Sequence, residues 1–110
     1  MRRTKYRNVP TRIDGIRFAS KAEARRYQHL KLVQAAGRIH NLRLQPRYPI
    51  MVKGALVCTY VADFSYSEIP SGRYVVEDVK GVRTAIYRLK AKLMQAANGI
   101  TITEVGKAKR

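Results

Sequence analysis

The chain has 110 residues, and its 23 Lys and Arg against 7 Asp and Glu give a formal net charge of +16. This length fits one domain, residues 1–110, and a 45% hydrophobic content is enough for a packed core, which excludes a disordered basic tail. The single cysteine, Cys58, excludes a disulfide framework and a cysteine-based zinc site. No apolar run approaches the roughly 20 residues that span a bilayer, so we expect a cytoplasmic protein with no membrane partner.

The strongly basic composition predicts a polyanionic partner, and nucleic acid is the default for a charge of +16 on so small a domain. An anionic membrane surface is the weaker alternative, since no basic amphipathic helix stands out. The same composition makes each of the seven acidic residues informative, because a carboxylate on a DNA-binding surface repels phosphate.

The first half of the chain predicts a basic arm, a helix and two short strands. Ser20 and Glu23 have the spacing of a capping box, which predicts a helix that begins after Ser20. Pro46 and Pro49 predict that the strands after this helix form an edge or a broken strand. The predicted elements are, in chain order, an arm at about 1–12, a short strand or hairpin at Arg12–Phe18, a helix at about 21–36, and strands at Arg38–Leu44 and Tyr48–Val52.

The second half predicts an antiparallel strand pair, a helix and a final strand. Thr84 can cap the helix, and Asn98-Gly99 ends it. Because two strands joined by a helix favour parallel pairing, the sheet should be mixed. The predicted elements are strands at Leu56–Tyr66 and Arg73–Lys80, a helix at about 85–98, a strand at Ile100–Val105 and a basic tail at about 106–110. The fold class is thus α/β, an αβββαβ core with a mixed central sheet flanked by helices.

Four polar residues from three separate stretches form the candidate site. On a strand, Asp78 and Lys80 share one face while Glu77 points to the other. Asp63 lies on the partner strand, so the pair can bring it close to Asp78. Glu23, from the first helix, can supply a third carboxylate. Simpler readings remain open, namely a surface ion pair for Asp78 and Lys80, and capping alone for Glu23.

Carboxylates gathered beside a lysine point to hydrolysis of a phosphodiester. Their oxygens suit a hard cation such as Mg²⁺, for which Mn²⁺ is a possible substitute. Such a cation neutralises the phosphate and lowers the pKa of its bound water. The lysine can then stabilise developing negative charge.

The motif and the order of elements resemble the PD-(D/E)XK nuclease superfamily. Within it, the chain is similar to a small family of phage and prophage nuclease-like proteins of unsettled function, and the similarity covers about residues 5–105. The segments that carry the resemblance are FASKAEARRY (18–27), LRLQPRY (42–48), YVADFSY (60–66) and VVEDVKG (75–81). The resemblance implies a restriction-endonuclease-like core.

The resemblance also implies roles for individual residues. Asp63, Asp78 and Glu23 would bind the metal, and with Lys80 they would form the catalytic set. Gln45, Glu77 and Thr84 would be auxiliary residues near the site. The basic residues that we expect to contact DNA are Arg83, Arg88, Lys90, Arg7 and Arg25.

The function expected from these residues is a Mg²⁺-dependent DNA endonuclease. Its substrate would be duplex or branched DNA, with a Holliday junction as a plausible target in phage recombination or replication, and its location would then be the host-cell cytoplasm. Resolving a junction requires two cuts, hence a homodimer. The alternatives are a sequence-specific or single-strand nickase, and a DNA-binding protein with a nuclease-like fold but no catalysis.

Overall fold

The computed structural model describes residues 9–79 and 83–106. Within these ranges the chain forms eight strands and two helices. In chain order they are β1 (Thr11–Ile13), β2 (Ile16–Phe18), α1 (Lys21–Ala35), β3 (Ile39–Leu44), β4 (Arg47–Val52), β5 (Ala55–Val61), β6 (Phe64–Glu68), β7 (Tyr74–Val79), α2 (Ala85–Asn98) and β8 (Thr103–Val105).

The central sheet has four strands in the order β3-β6-β7-β8. β6 pairs antiparallel with both β3 and β7, whereas β7 and β8 are parallel because α2 carries the chain back between them. The α/β class and the mixed central sheet are therefore confirmed. The expected αβββαβ order is present as α1-β3-β6-β7-α2-β8, with the β4–β5 hairpin inserted between β3 and β6.

The two helices begin where their capping residues are. The Glu23 backbone N–H donates to Ser20 Oγ at 3.1 Å, and the Tyr87 backbone N–H donates to Thr84 Oγ1 at 3.0 Å. Each bond satisfies a donor that the first turn of a helix leaves free. At the other end of α2, Gly99 has φ +67°, a left-handed conformation that glycine adopts without steric cost.

The hydrophobic core is divided between the two faces of the sheet. On one face, Phe64 and Tyr66 belong to a cluster with Tyr27 and Leu30 of α1. On the other face, Val76 belongs to a cluster that includes Met94 of α2. The alternation of side chains along β7 feeds both clusters, because Val75 belongs to the first and Val76 to the second, so the acids of this strand lie between two packed helices.

The prediction of one continuous strand from Leu56 to Tyr66 is wrong, because the chain bends at Ala62–Asp63. Gln45, directly across from the bend, has φ +51°. The Gln45 backbone N–H donates to the Asp63 carbonyl at 2.9 Å, and the Ala62 N–H donates to the Pro46 carbonyl at 3.1 Å. Strands β3–β4 and β5–β6 thus form one long hairpin that bends at a single level, and Asp63 stands at that bend.

The far end of the β4–β5 hairpin is apolar and exposed. Lys53 and Gly54 form its two-residue turn, both with positive φ, as the twist of a tight hairpin favours. The side chains beside the turn are 44–60% exposed, and neighbours along each strand point to opposite faces, so this end projects beyond the body of the domain. We call the four residues concerned the hairpin tip: Met51, Val52, Leu56 and Val57.

The last strand is shorter than predicted, since β8 begins at Thr103 and not at Ile100. The residues before it pack against the α2-side core, with Ile100 and Ile102 both partly buried there. Neither described helix has the length and apolar character needed to cross a membrane.

Candidate active site

Asp63, at the bend just before β6, lies beside the end of β7 that carries Asp78. β6 and β7 pair with Phe64 opposite Glu77, which brings the next residue on each side, Asp63 and Asp78, to the same end of the strand pair. The Asp63 backbone N–H donates to the Glu77 carbonyl at 3.1 Å, which carries the pairing through the bend. In addition, the Val79 N–H donates to Asp63 Oδ2 at 2.8 Å, so backbone contacts hold this carboxylate toward β7.

Glu23 joins these two aspartates from the first turn of α1. Its side chain is only 7% exposed. Burial is the main cause that raises the pKa of Glu23 from 4.5 to about 7; the charge of Asp63 and a hydrogen bond to it add to the rise, and Asp78 contributes less. A hydrogen bond with the Ala19 backbone acts in the opposite direction. The three acids are therefore electrostatic neighbours.

Asp78 is 2% exposed and lies on the side of the sheet that α2 covers. Tyr87, at the start of α2, donates its hydroxyl to Glu104 Oε2 at 2.8 Å. Burial, followed by Glu104 and then by the charge of Asp78, raises the pKa of this tyrosine. Helix α2 thus covers Asp78 with an aromatic residue that stays neutral at physiological pH.

Glu77 points to the opposite face and belongs to a different network. Arg26 of α1 binds it through two hydrogen bonds, Nε to Oε1 at 2.9 Å and Nη2 to Oε2 at 2.6 Å. The Tyr66 hydroxyl also donates to Oε2. Glu77 is 1% exposed, so this forked ion pair satisfies a charge that burial would otherwise make costly.

The Arg26–Glu77 pair links α1 and β7, two of the elements that carry the candidate site. Arg26 lies three residues after Glu23 on α1, and Glu77 immediately precedes Asp78 on β7. A contact between these neighbours holds the first turns of α1 at a set distance from β7. No individual role was predicted for Arg26 from the sequence. The signal for its inward role was a glutamate within the apolar run of β7, which needs a buried cation.

Two of the predicted auxiliary residues, Gln45 and Thr84, make structural contacts. Gln45 meets Asp63 through its backbone, and its side chain is exposed. Thr84 uses its hydroxyl to cap α2. Lys80 and Arg7 lie outside the described residues, so their predicted roles stay predictions.

The predicted DNA-contacting residues on the helices are mostly at the surface. Arg25 is exposed, and so is Arg83, whose Nε lies 3.2 Å from Glu104 Oε2. Arg88 Nη1 donates to the Arg83 carbonyl at 3.1 Å. Lys90 is half-buried, with Nζ 3.4 Å from the Thr59 carbonyl. These contacts orient cations around the first half of α2, on the side of the sheet where Asp78 lies.

The donor chemistry of the acidic cluster fits a hard divalent cation. Glu23, Asp63 and Asp78 offer an all-oxygen set of the kind that Mg²⁺ prefers. Across residues 9–79 and 83–106, no three Asp, Glu, His or Cys side chains have the geometry of a formed metal site. Asp63 accepts from Val79 and shares a hydrogen bond with Glu23, so these side chains would have to turn from their present contacts to hold an ion.

A family model described as "Protein of unknown function (DUF1064)" matches residues 3–107. No curated protein and no solved structure matches the chain.

Proposed function

The chain belongs to the DUF1064 family of proteins of unknown function, and from its own residues we propose that it is a metal-dependent endodeoxyribonuclease. One observation carries the proposal: α1, the β5–β6 bend and β7 bring three carboxyl groups together, with Glu23 buried, hydrogen-bonded to Asp63 and within electrostatic range of Asp78. Such a cluster destabilises the fold, because like charges repel in a buried place. We therefore attribute its presence to a function. The resemblance to the PD-(D/E)XK superfamily implies the same set of residues.

The bound cation, Mg²⁺ or Mn²⁺, would supply charge neutralisation at the phosphate and a water molecule of lowered pKa. Asp63 and Asp78 would hold it, with Glu23 as the third ligand. Because the pKa of Glu23 is about 7 without a metal, its carboxyl group is ionised mainly above neutral pH, and a bound cation would favour the ionised form. Lys80, two residues after Asp78, is the group that we assign to the charge that develops on the phosphate.

The basic surface supports DNA as the substrate. All seven acids have local partners or belong to the cluster, whereas the 23 bases leave a surplus of 16 positive charges. Phosphate contacts of this kind position a nucleic acid without reading its sequence. We therefore propose a structure-selective enzyme that acts on branched DNA, such as a Holliday junction, in the cytoplasm of a phage-infected cell. Two cuts at one junction would require a homodimer.

The decisive experiment is a cleavage assay of the wild type and Asp78→Asn. The substrates are a four-way junction, a flap, a single strand and a blunt duplex, each in Mg²⁺, Mn²⁺ or EDTA. We expect Mg²⁺-dependent cutting by the wild type, loss of at least a hundredfold in Asp78→Asn, and equal or tighter DNA binding, because one repulsive charge is removed. Glu68→Gln, a change of an acid outside the cluster, is the matched control.

The assay also separates the alternatives. Cleavage that survives in Asp78→Asn would eliminate the proposed metal site. Cutting of plain duplex at defined sequences, or of one strand only, would instead identify the nickase. A wild type that binds all four substrates with steep salt dependence yet cuts none of them would be a binding protein with a nuclease-like fold.

A further inference from the structure

A groove of about 710 Å³ lies beside the bend of the long hairpin. Residues of β3, β4, β6 and β7 line it, and those that bear on its chemistry are Asn41, Arg43, Arg47, Tyr48, Ser67 and Tyr74. The volume is in the range of pockets that hold small ligands, roughly 300–1,000 Å³. Nothing in the proposed metal chemistry uses these side chains.

The groove is positively charged. Arg43 and Arg47 are both exposed, and none of the described residues that line the groove is acidic. Neither arginine forms an ion pair with another residue of the described chain. Two guanidinium groups with no carboxylate beside them suit a phosphate-bearing ligand, since the planar guanidinium can bind phosphate oxygens in pairs.

The groove also carries two aromatic rings. The hydroxyl groups of Tyr48 and Tyr74 lie 2.6 Å apart and share a hydrogen bond that links β4 to β7. Tyr74 is nevertheless 50% exposed, so its ring is accessible to a ligand. An aromatic ring held at one end and open to solvent is a stacking surface for a nucleic-acid base.

The groove adjoins the acidic cluster. Arg43 and Arg47 lie two residues to either side of Gln45, whose N–H donates to the Asp63 carbonyl. Arg43 is also paired with Ser65, two residues after Asp63 on β6. Two residues of a strand extend about 7 Å, which is roughly the span of two nucleotides at 3.4 Å each. One nucleic-acid strand can therefore contact the groove and the acidic cluster at the same time.

We propose that this groove binds an unpaired nucleotide of the DNA strand, with its phosphate on Arg43 and Arg47 and its base stacked on Tyr74. In a duplex the faces of the bases are already stacked on each other, so only an unpaired or splayed nucleotide can use the tyrosine. The groove thus selects DNA with unpaired nucleotides close to the cut. This selectivity rests on the proposed nuclease function, whereas nucleotide binding itself does not.

The test is a binding measurement in EDTA, so that it does not depend on cleavage. The probes are a single-stranded oligonucleotide containing 2-aminopurine and the matching blunt duplex. We expect stacking on the wild type to quench the 2-aminopurine fluorescence of the single strand. Tyr74→Ala should abolish the quenching and weaken single-strand binding about 5- to 150-fold, from a stacking contribution of ~1–3 kcal/mol, while duplex binding changes less than about twofold.

Three further variants make the result specific. Tyr74→Phe keeps the ring and should retain quenching, whereas His40→Ala removes an exposed ring outside the groove and should change nothing. Arg43→Ala should weaken single-strand binding and reduce its salt slope by about 1. Equal losses in Tyr74→Phe and Tyr74→Ala, equal losses on single strand and duplex, or no quenching by the wild type would each overturn the proposal. None of these outcomes alters the Asp78→Asn cleavage result.

Discussion

Glu23 contributes to the fold through its backbone and to the acidic cluster through its side chain. Its backbone N–H completes the cap that starts α1, and its carboxyl group lies beside Asp63. The first role requires only the backbone, so a change of the side chain leaves the cap bond in place. The second role raises the pKa because burial and Asp63 disfavour the charged form. The side chain of Glu23 can therefore be changed without loss of the cap, and the change in free energy of unfolding measures what its buried charge costs.

We predict that Glu23→Gln stabilises the metal-free protein above neutral pH. A folded-state pKa of about 7, above the ordinary 4.5, means that the contribution of Glu23 to stability is complete below pH 4.5 and is lost as the pH rises through 7. The glutamine has no charge to bury. The difference in free energy of unfolding between variant and wild type should therefore grow by roughly 1–3 kcal/mol from pH 4.5 to 8.

Thermal unfolding in EDTA across this pH range measures the effect, with Glu68→Gln as the control acid. A difference between Glu23→Gln and wild type that stays constant with pH would contradict the assignment. Saturating Mg²⁺ should reverse the order at pH 8, because the wild type alone keeps its third carboxylate ligand.

At the scale of elements, α1 and β7 are joined by one buried ion pair. Arg26 reaches across from α1 to Glu77, and Tyr66 of β6 completes the network. Removal of Arg26 leaves the Glu77 carboxylate, which is 1% exposed, in an environment that water cannot reach. The pair thus makes the position of α1, and with it that of Glu23, sensitive to a residue that does not itself touch the acidic cluster.

We predict that Arg26→Ala lowers the free energy of unfolding by about 3–5 kcal/mol, the usual cost of an uncompensated buried charge. Arg25→Ala, one residue earlier on the exposed face, should change it by less than about 0.5 kcal/mol. Urea unfolding at pH 7 gives both values. The double variant Arg26→Leu/Glu77→Leu should recover part of the loss. Equal stability of the two alanine variants would show that the pair does not hold α1.

Local patterns in the sequence account for most of the elements. The capping residues Ser20 and Thr84 predicted where both helices begin, and the helix between the last strands predicted a parallel pair. The bend at Asp63 was not predictable in the same way, because the strand-forming composition continues through it. What interrupts the strand is the left-handed Gln45 on the opposite side of the hairpin, a contact between residues 18 positions apart.

The candidate site was predictable only where strand alternation decides it. Alternation along β7 separated Asp78 from Glu77, and the antiparallel pairing of β6 with β7 brought Asp63 and Asp78 to the same end of the two strands. The Arg26 contact and the groove arginines were not found, because each depends on tertiary packing. Among so many bases, no sequence pattern distinguishes Arg26, which is half-buried and pairs with Glu77, from Arg25, which faces solvent.

At the scale of the whole molecule, the acidic residues are paired or clustered, whereas the excess positive charge is spread over the surface. Glu77 and Glu104 bind arginines, and Asp14 accepts a hydrogen bond from Tyr27 at 2.9 Å. The remaining acids are the three of the cluster and Glu68, which lies 3.7 Å from Arg73. A polyanion that approaches this surface therefore meets attraction from most directions, and the cluster is the one concentrated repulsion.

We predict that binding to a plain duplex falls by about a thousandfold or more between 50 and 200 mM salt, as for proteins that neutralise roughly 6 or more phosphates. Arg83→Ala and Arg88→Ala should each reduce the slope of log K against log salt by about 1. Fluorescence anisotropy with a labelled duplex measures this slope. A wild-type slope shallower than about −2 would show that the excess charge does not contact the DNA backbone.

The hairpin tip has a consequence for how the protein behaves in concentrated solution. It exposes apolar side chains next to unpaired strand edges, a combination that favours pairing between separate copies. In dilute buffer the charge of +16 keeps the copies apart. At about 1 M salt the electrostatic range falls to roughly 3 Å, so a salt concentration well above the one that weakens DNA binding should also cost the protein its colloidal solubility.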